Sequence, residues 1–122
     1  MKIIRNKILP PKGYKAITIG PLIFTRPKTW LGTRDINHER IHWEQEKELL
    51  VVGFYLLYVV FFVWQLVKCA CTGYRMEFIT GKRLGLWKTA YRENPLEREA
   101  YCCECVTGYV HKRERMAWER YL

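Results

Sequence analysis

The sequence lacks a secretory signal, an internal repeat and a low-complexity tract, and these absences narrow the class of protein. Lys2 and Arg5 resemble the basic start of a signal peptide, but Pro10 and Pro11 prevent an apolar core from following. The chain has 122 residues, of which 49% are hydrophobic, which is enough for one domain with a core. We therefore expect a single minimal domain over residues 1–122, without a cleavable signal peptide.

The cysteines do not fit a disulfide framework, because there are five of them and no secretory signal. They form two clusters, Cys69 with Cys71, and Cys102 and Cys103 with Cys105. Thiolates suit a second zinc or an iron–sulfur site, but the pair Cys102 and Cys105 supplies only two ligands. Free, reduced thiols are expected.

Acidic residues are scarce, with 12 Asp and Glu against 21 Lys and Arg, so the formal net charge is +9. Residues 1–36 carry eight basic residues and one acidic residue, and residues 68–92 carry six and one. Such segments attract anionic lipid or nucleic acid, although a solvated basic face is an equal alternative. The sequence has no ribonucleoprotein motif and no paired Cys/His finger, so nucleic-acid binding is the weakest interpretation.

His38-Glu39-Arg40-Ile41-His42 reads H-E-x-x-H, the zinc-hydrolase motif. On a helix the side chains at i and i+4 lie on one face, so His38 and His42 can both bind one Zn²⁺. Glu39 is then placed to take a proton from a water molecule at the zinc. Asn37 is a favoured N-cap residue, which predicts that a helix begins there.

Catalytic zinc takes three protein ligands, so a third must come from later in the chain. The candidates are Glu93, Glu97, Glu99, Glu104 and His111. Asn94-Pro95 predicts a new helix, which places Glu97 in its first turn and the small Ala100 three residues later. Glu97 is therefore the preferred ligand. Glu99 is not expected to contribute to zinc binding, and His111 is expected at the surface.

H-E-x-x-H followed by E-x-x-A on a second helix resembles the gluzincin metallopeptidases. The chain is most similar to small H-E-x-x-H proteins of Bacteroidetes-type bacteria. The matching segments are Pro10 to Gly13, His38 to His42, Phe54 to Tyr58 and Glu97 to Tyr101. The resemblance implies His38, His42 and Glu97 as ligands of Zn²⁺ and Glu39 as the catalytic base.

Tyr101 is the main departure from the gluzincin pattern. Many gluzincins have an aspartate at this position, which supports a histidine ligand from outside the metal sphere. Tyr101 is a candidate for the same supporting role, but a phenol cannot replace a carboxylate. The sequence therefore predicts metal binding more firmly than turnover.

The pattern predicts an α+β, mainly α fold. Loose alternation over residues 14–25, with Gly20-Pro21 as a turn, predicts a β-hairpin within a basic segment of β-hairpin and loop over residues 1–36. We expect the H-E-x-x-H helix to run on into an apolar helix over residues 37–68. An antiparallel return segment over residues 69–95 and a C-terminal helix over residues 96–122 complete the prediction.

Leu49 to Val67 contains no charged residue and is long enough to cross a bilayer. A helix that is apolar on every side is either buried or in contact with lipid, and a small domain cannot bury one this long. A single crossing would place Glu97 on the opposite side from the histidines. We therefore expect a hairpin that lies on or dips into the membrane, or self-association into a homo-oligomer.

The leading interpretation is a membrane-associated, zinc-dependent metallopeptidase that acts on a peptide or protein substrate, on the cytoplasmic face. The alternative is a non-catalytic, membrane-associated helical protein with a structural or vestigial zinc site. The zinc content separates the leading interpretation from this alternative and from nucleic-acid binding, and a steep fall of nucleic-acid affinity with salt would support the last.

Overall fold

A computed structural model of the protein describes residues 2–11 and 14–122. In these residues the fold is mainly helical with a small N-terminal sheet, which confirms the predicted α+β, mainly α class. The strands are β1 (Lys2–Arg5), β2 (Ala16–Ile19) and β3 (Leu22–Thr25). Lys12 and Gly13, half of the Pro10 to Gly13 segment that resembles other H-E-x-x-H proteins, lie outside the described residues.

The predicted hairpin is present, and it belongs to a three-stranded sheet in the order β1-β3-β2. Ile19 pairs with Leu22 across a two-residue turn in which Gly20 has a φ of +60°. A positive φ at this position gives the turn type that matches strand twist, and glycine adopts it without steric cost. β1 pairs in parallel with β3, which leaves β2 as a free edge strand beside the first helix.

The motif helix α1 spans Thr33–Glu48, so the prediction that Asn37 is its N-cap is wrong. Gly32 is the N-cap, and its N–H donates to the Asp35 carboxylate at 3.0 Å. An acidic side chain three residues into a helix can close its first turn in this way. Asn37 lies inside the helix, where its amide donates to the backbone carbonyls of Glu104 and Val106.

The predicted continuous helix over residues 37–68 is wrong, because the chain breaks between Glu48 and Val52. Leu50 and Val51 both have a φ of +59°, which residues with a Cβ atom rarely adopt. A second helix, α2, then spans Val52–Thr72 and ends at Gly73. An apolar run gives no local signal of such a break, since its cause lies in the packing of α2 over α1.

The return segment is mostly irregular from residue 73 to residue 85, and its helix is short. Helix α3 covers Leu86–Glu93 and packs on α2, where Trp87 stacks on Phe62 with ring centroids 5.9 Å apart. The predicted C-terminal helix is divided into α4 (Pro95–Cys103), α5 (Tyr109–Lys112) and a 3-10 helix (Ala117–Tyr121). Gly108, with a φ of +70°, lies in the turn that separates α4 from α5.

The start of α4 agrees with the prediction. The Asn94 side chain accepts a hydrogen bond from the N–H of Leu96, and Pro95 fills the first turn, where no N–H is needed. Leu96 is fully buried with Phe54 and Trp118 in the hydrophobic core. This core fixes α4 against the start of α2, which brings Glu97 to the histidines of α1.

Candidate metal centre

His38, His42 and Glu97 meet in one buried cluster, as the sequence predicts. Glu97 Oε1 lies 3.3 Å from His38 Nε2 and 3.2 Å from His42 Nε2, and the two histidine nitrogens are 3.2 Å apart. Within residues 2–11 and 14–122, these are the only three His, Cys, Asp or Glu side chains close enough to hold a metal ion together. His111 is exposed, as expected, and all five cysteines are free.

The His38 ring is oriented by Glu104. His38 Nδ1 lies 2.7 Å from Glu104 Oε2, and the other carboxylate oxygen of Glu104 accepts from Arg34 Nε at 2.9 Å. An ionised carboxylate can only accept hydrogen bonds, so Nδ1 carries a proton and donates it. This arrangement leaves the lone pair of the neutral ring on Nε2, which points at Glu97 and His42.

Gln45 orients the ring of His42, as Glu104 orients the ring of His38. The amide nitrogen of Gln45 donates to the Leu96 carbonyl at 3.0 Å and to Glu99 Oε1 at 2.9 Å. These two acceptors fix the amide orientation, so its oxygen faces His42 Nδ1 at 2.9 Å. His42 therefore also carries its proton on Nδ1 and presents Nε2 to the cluster. Once a metal has displaced the second proton, both neutral rings are held in the tautomer that metal binding requires.

Glu99 anchors this hydrogen-bond chain, although it does not touch the histidines. It is fully buried and accepts two hydrogen bonds from Arg113, each at 2.8 Å, and one from the Tyr109 hydroxyl at 2.9 Å. Arg113 also lies 3.1 Å from Glu48 on α1. The orientation of His42 thus depends on a buried ion pair between α4 and the chain after α5.

Tyr101 contacts His38 through its ring and not through its hydroxyl. The two rings meet edge to face with centroids 4.5 Å apart, and the Tyr101 hydroxyl lies 3.5 Å from that of Tyr91. Arg92 covers the other face of the Tyr101 ring at 3.5 Å. The carboxylate that supports His38 comes instead from Glu104.

Glu104 and Gln45 are the site residues that sequence reasoning missed, since Glu104 was considered only as a third ligand. The spacing of acidic residues in the sequence does contain one indication of the role of Glu104. Glu97, Tyr101 and Glu104 are spaced i, i+4 and i+7, so they share one helical face. An acid one turn beyond Tyr101 therefore points toward the same histidine. Gln45 has no comparable signal, because its role depends on the partners of its amide nitrogen.

Glu39 lies beside the cluster and not in it. Its carboxylate accepts a hydrogen bond from the Thr18 hydroxyl at 2.5 Å, which ties the motif helix to strand β2. Only 7% of Glu39 is exposed. Glu39 lines both cavities that adjoin the cluster.

Glu97 uses its two carboxylate oxygens differently. Oε1 faces the histidines, while Oε2 accepts a hydrogen bond from the Tyr58 hydroxyl at 2.7 Å. Tyr58 belongs to α2, so the apolar helix takes part in fixing the cluster. One oxygen of Glu97 is thereby directed at the point where the two Nε2 atoms converge.

The charges of the cluster stabilise one another strongly. Burial alone would lower the pKa of His38, but hydrogen bonds to Glu104 and Glu97 outweigh it and raise that pKa to about 10. Burial alone would raise the pKa of Glu97, but the charge of His42 and the hydrogen bonds from both histidines hold it well below its usual range. A metal cation binding here must therefore displace a proton from the histidines.

Two cavities of different character meet at Glu39. One has a volume of about 360 Å³ and an apolar lining that includes Phe54, Tyr58 and Phe62 of α2. The other has a volume of about 860 Å³, and charged side chains such as Arg34 and Arg92 contribute to its lining. Ala16 of strand β2 borders both cavities, so the free edge of the sheet follows the cleft past the cluster.

Comparison with protein-family models, with curated proteins and with solved structures found no match to this chain. The functional argument consequently depends on the geometry of the chain's own residues. Two imidazole nitrogens in a fixed tautomer and one directed carboxylate oxygen are a donor set that suits a divalent metal ion.

Proposed function

We propose that the protein is a zinc-dependent metallopeptidase of the gluzincin type. The observation that carries the proposal is the convergence of His38 Nε2, His42 Nε2 and Glu97 Oε1, with the base Glu39 beside them. Two imidazoles and one carboxylate are the ligand set of many zinc peptidases, and zinc in such sites keeps a fourth position open. A zinc ion held there would supply Lewis acidity to the scissile carbonyl and to the attacking water.

The protein's own residues would carry out the proton transfers. Glu39 accepts the proton of the attacking water and later delivers it to the leaving amine, as a general base and then a general acid. The Thr18 hydroxyl holds one carboxylate oxygen of Glu39 and leaves the other to accept the proton. Burial of the cluster keeps bulk water away, which strengthens electrostatic interactions in the site.

The free edge of β2 is suited to an extended peptide. The Thr25 carbonyl accepts from the N–H of Asn6 at 2.9 Å and so points away from β2. The partner of Thr25, Ala16, therefore occupies a non-hydrogen-bonded pair, and its N–H and C=O face the free edge. The Thr18 carbonyl on the same edge is occupied by the Tyr55 hydroxyl, so Ala16 offers the backbone pairing that would hold a substrate.

We also propose that α2 attaches the protein to a membrane without crossing it. α2 is long and apolar enough to span a bilayer, and few of its residues are buried. Its exposed apolar side chains recur every three or four residues and form one stripe, which we call the α2 stripe: Val52, Leu56, Val59, Val60, Val63, Trp64 and Val67. Such a stripe, with basic segments on both flanks, is typical of helices that lie in the membrane interface.

A full crossing by α2 is hard to combine with the cluster, because His38 precedes α2 and Glu97 follows it. The stacking of Trp87 on Phe62 supports a hairpin, since the chain has returned to the middle of α2 by residue 87. Five free cysteines favour a reducing environment and hence the cytoplasmic face of the membrane.

The test of the peptidase is Glu39→Gln, which preserves side-chain size but removes the base. We expect zinc content to stay at the wild-type value while peptide hydrolysis falls by roughly 10²–10⁴-fold. Glu44→Gln, also on α1 but partly exposed, is the matched control and should retain activity. Wild-type protein that binds zinc but cleaves no member of a broad peptide library would support the non-catalytic alternative.

A further inference from the structure

The apolar cavity beside the cluster has the features of a binding site for a side chain. Its volume of about 360 Å³ is within the range of small-molecule pockets, roughly 300–1,000 Å³. Its lining combines aromatic rings of α2 with Pro10, Pro11 and Ile17. Apart from tyrosine hydroxyls, its polar side chains are those of His42, Glu97, Glu39 and Thr18, which belong to the cluster or lie beside it.

One residue of the α2 stripe lines this cavity. Val59 lines the cavity and is also 59% exposed, whereas the adjacent Val60 is 60% exposed and does not line it. Phe62, which stacks on Trp87, forms another part of the lining. The cavity therefore adjoins the α2 stripe through Val59, whereas no stripe residue lines the charged cavity.

We propose that this cavity binds an apolar side chain of a membrane-associated peptide substrate, and that the side chain enters from the α2 stripe. The inference rests on the proposed function, since it specifies the substrate of the same site. The occupant is a peptide because the outward-facing N–H and C=O of Ala16 border the same cavity. An extended peptide paired with this edge projects alternate side chains to either side of its backbone.

Because the two cavities differ in character, we expect the substrate to have a polar part in one cavity and an apolar part in the other. Charged residues in the larger cavity, among them Arg34, Asp35 and Lys82, would accommodate the polar part of the peptide in water. The apolar cavity would hold the residue next to the scissile bond on the membrane side. Peptides at the boundary between a bilayer and water combine both characters.

The probes are two peptide hydroxamates that differ only in the residue next to the hydroxamate, leucine in one and aspartate in the other. Their affinities for the zinc-loaded, full-length protein in lipid nanodiscs are measured by calorimetry. We expect the leucine compound to bind about 10-fold to 100-fold more tightly, because its side chain is fully transferred from water to an apolar site. Equal affinities would overturn the inference.

The valine pair supplies the matched variants. Val59→Trp places an indole at the cavity mouth and should remove most of the preference for leucine. Val60→Trp adds the same bulk at the same exposure outside the cavity and should leave the preference unchanged. Thermal unfolding of both variants checks that the fold is retained, and a preference that survives Val59→Trp in a folded protein would refute the assignment of the cavity.

Two further outcomes are separated by the same measurements. If neither hydroxamate binds the zinc-loaded protein, the proposed peptidase site itself fails, and the inference fails with it. If an alkyl hydroxamate without a peptide backbone binds as tightly as the leucine compound, the cavity takes a lipid chain and the peptide assignment is wrong. A preference for the leucine compound that is present in detergent but absent in lipid nanodiscs would contradict entry of the side chain from the membrane side.

Discussion

Replacement of Glu104 by glutamine tests whether the carboxylate of Glu104 supports the candidate metal ligand His38. Glutamine keeps the size of the side chain but removes the negative charge that holds the Nδ1 proton of His38 and pairs with Arg34. Loss of such a partner typically lowers metal affinity 10-fold to 100-fold, which corresponds to about 1.4–2.7 kcal/mol. We expect a loss in this range for Glu104→Gln.

The assay is competition for zinc against a chromophoric chelator of known affinity. Tyr101→Phe is the decisive comparison, because it retains the ring that packs on His38 and removes only the hydroxyl. It should change zinc affinity by less than about 2-fold, as should Glu114→Gln at an exposed surface ion pair. A strong effect of Tyr101→Phe together with no effect of Glu104→Gln would refute the reasoning and restore Tyr101 to the supporting role.

Three other perturbations follow from the site. Glu99→Gln removes the carboxylate that accepts two hydrogen bonds from Arg113 and leaves Glu48 as the remaining acidic partner of that buried cation, so we expect a loss of roughly 2–3 kcal/mol in the free energy of unfolding, measured by urea denaturation; unchanged stability would contradict the buried network. Zinc binding near neutral pH should release at least one proton, because the pKa of His38 is raised to about 10 and that of His42 is also raised by Glu97, so affinity should rise with pH; calorimetry in buffers of different ionisation enthalpy would reveal this release or its absence. Tags at the two termini should report the same side of the membrane, because the hairpin returns the chain to its starting side, and labelling on opposite sides would exclude it.

The parts of the site that the sequence predicted are those that depend on local spacing. His38 and His42 are four residues apart, and this alone places them on one helical face. Asn94-Pro95 marks a helix start by its own chemistry, and that start positions Glu97. The Gly20-Pro21 turn likewise predicts its hairpin from two residues.

The features that sequence reasoning missed depend on contacts between distant segments of the chain. The break at Leu50 lies within an apolar run that any local pattern continues as helix, and only the packing of Phe54 and Tyr58 over the cluster requires it. Strand β1 has no turn that links it to β3, so its parallel pairing has no local signal either. The hydrogen bonds of Glu99 to Gln45 and Arg113 also join distant segments, and no local pattern in the sequence predicts them.

Helix α2 contributes to both the candidate metal centre and the proposed membrane-binding surface. Its inner side supplies Phe54 and Tyr58 to the metal cluster, and its outer side carries the α2 stripe. A membrane-bound helix that also forms one wall of the catalytic cleft would bring substrates in the bilayer directly to the site.

The central claim is that His38, His42 and Glu97 hold one zinc ion, and metal analysis of protein purified without added zinc tests it most directly. The account predicts about one zinc ion per chain in the wild type, a marked decrease in Glu97→Gln and almost none in the His38→Ala/His42→Ala double variant. Equal zinc content in the wild type and the double variant would contradict it.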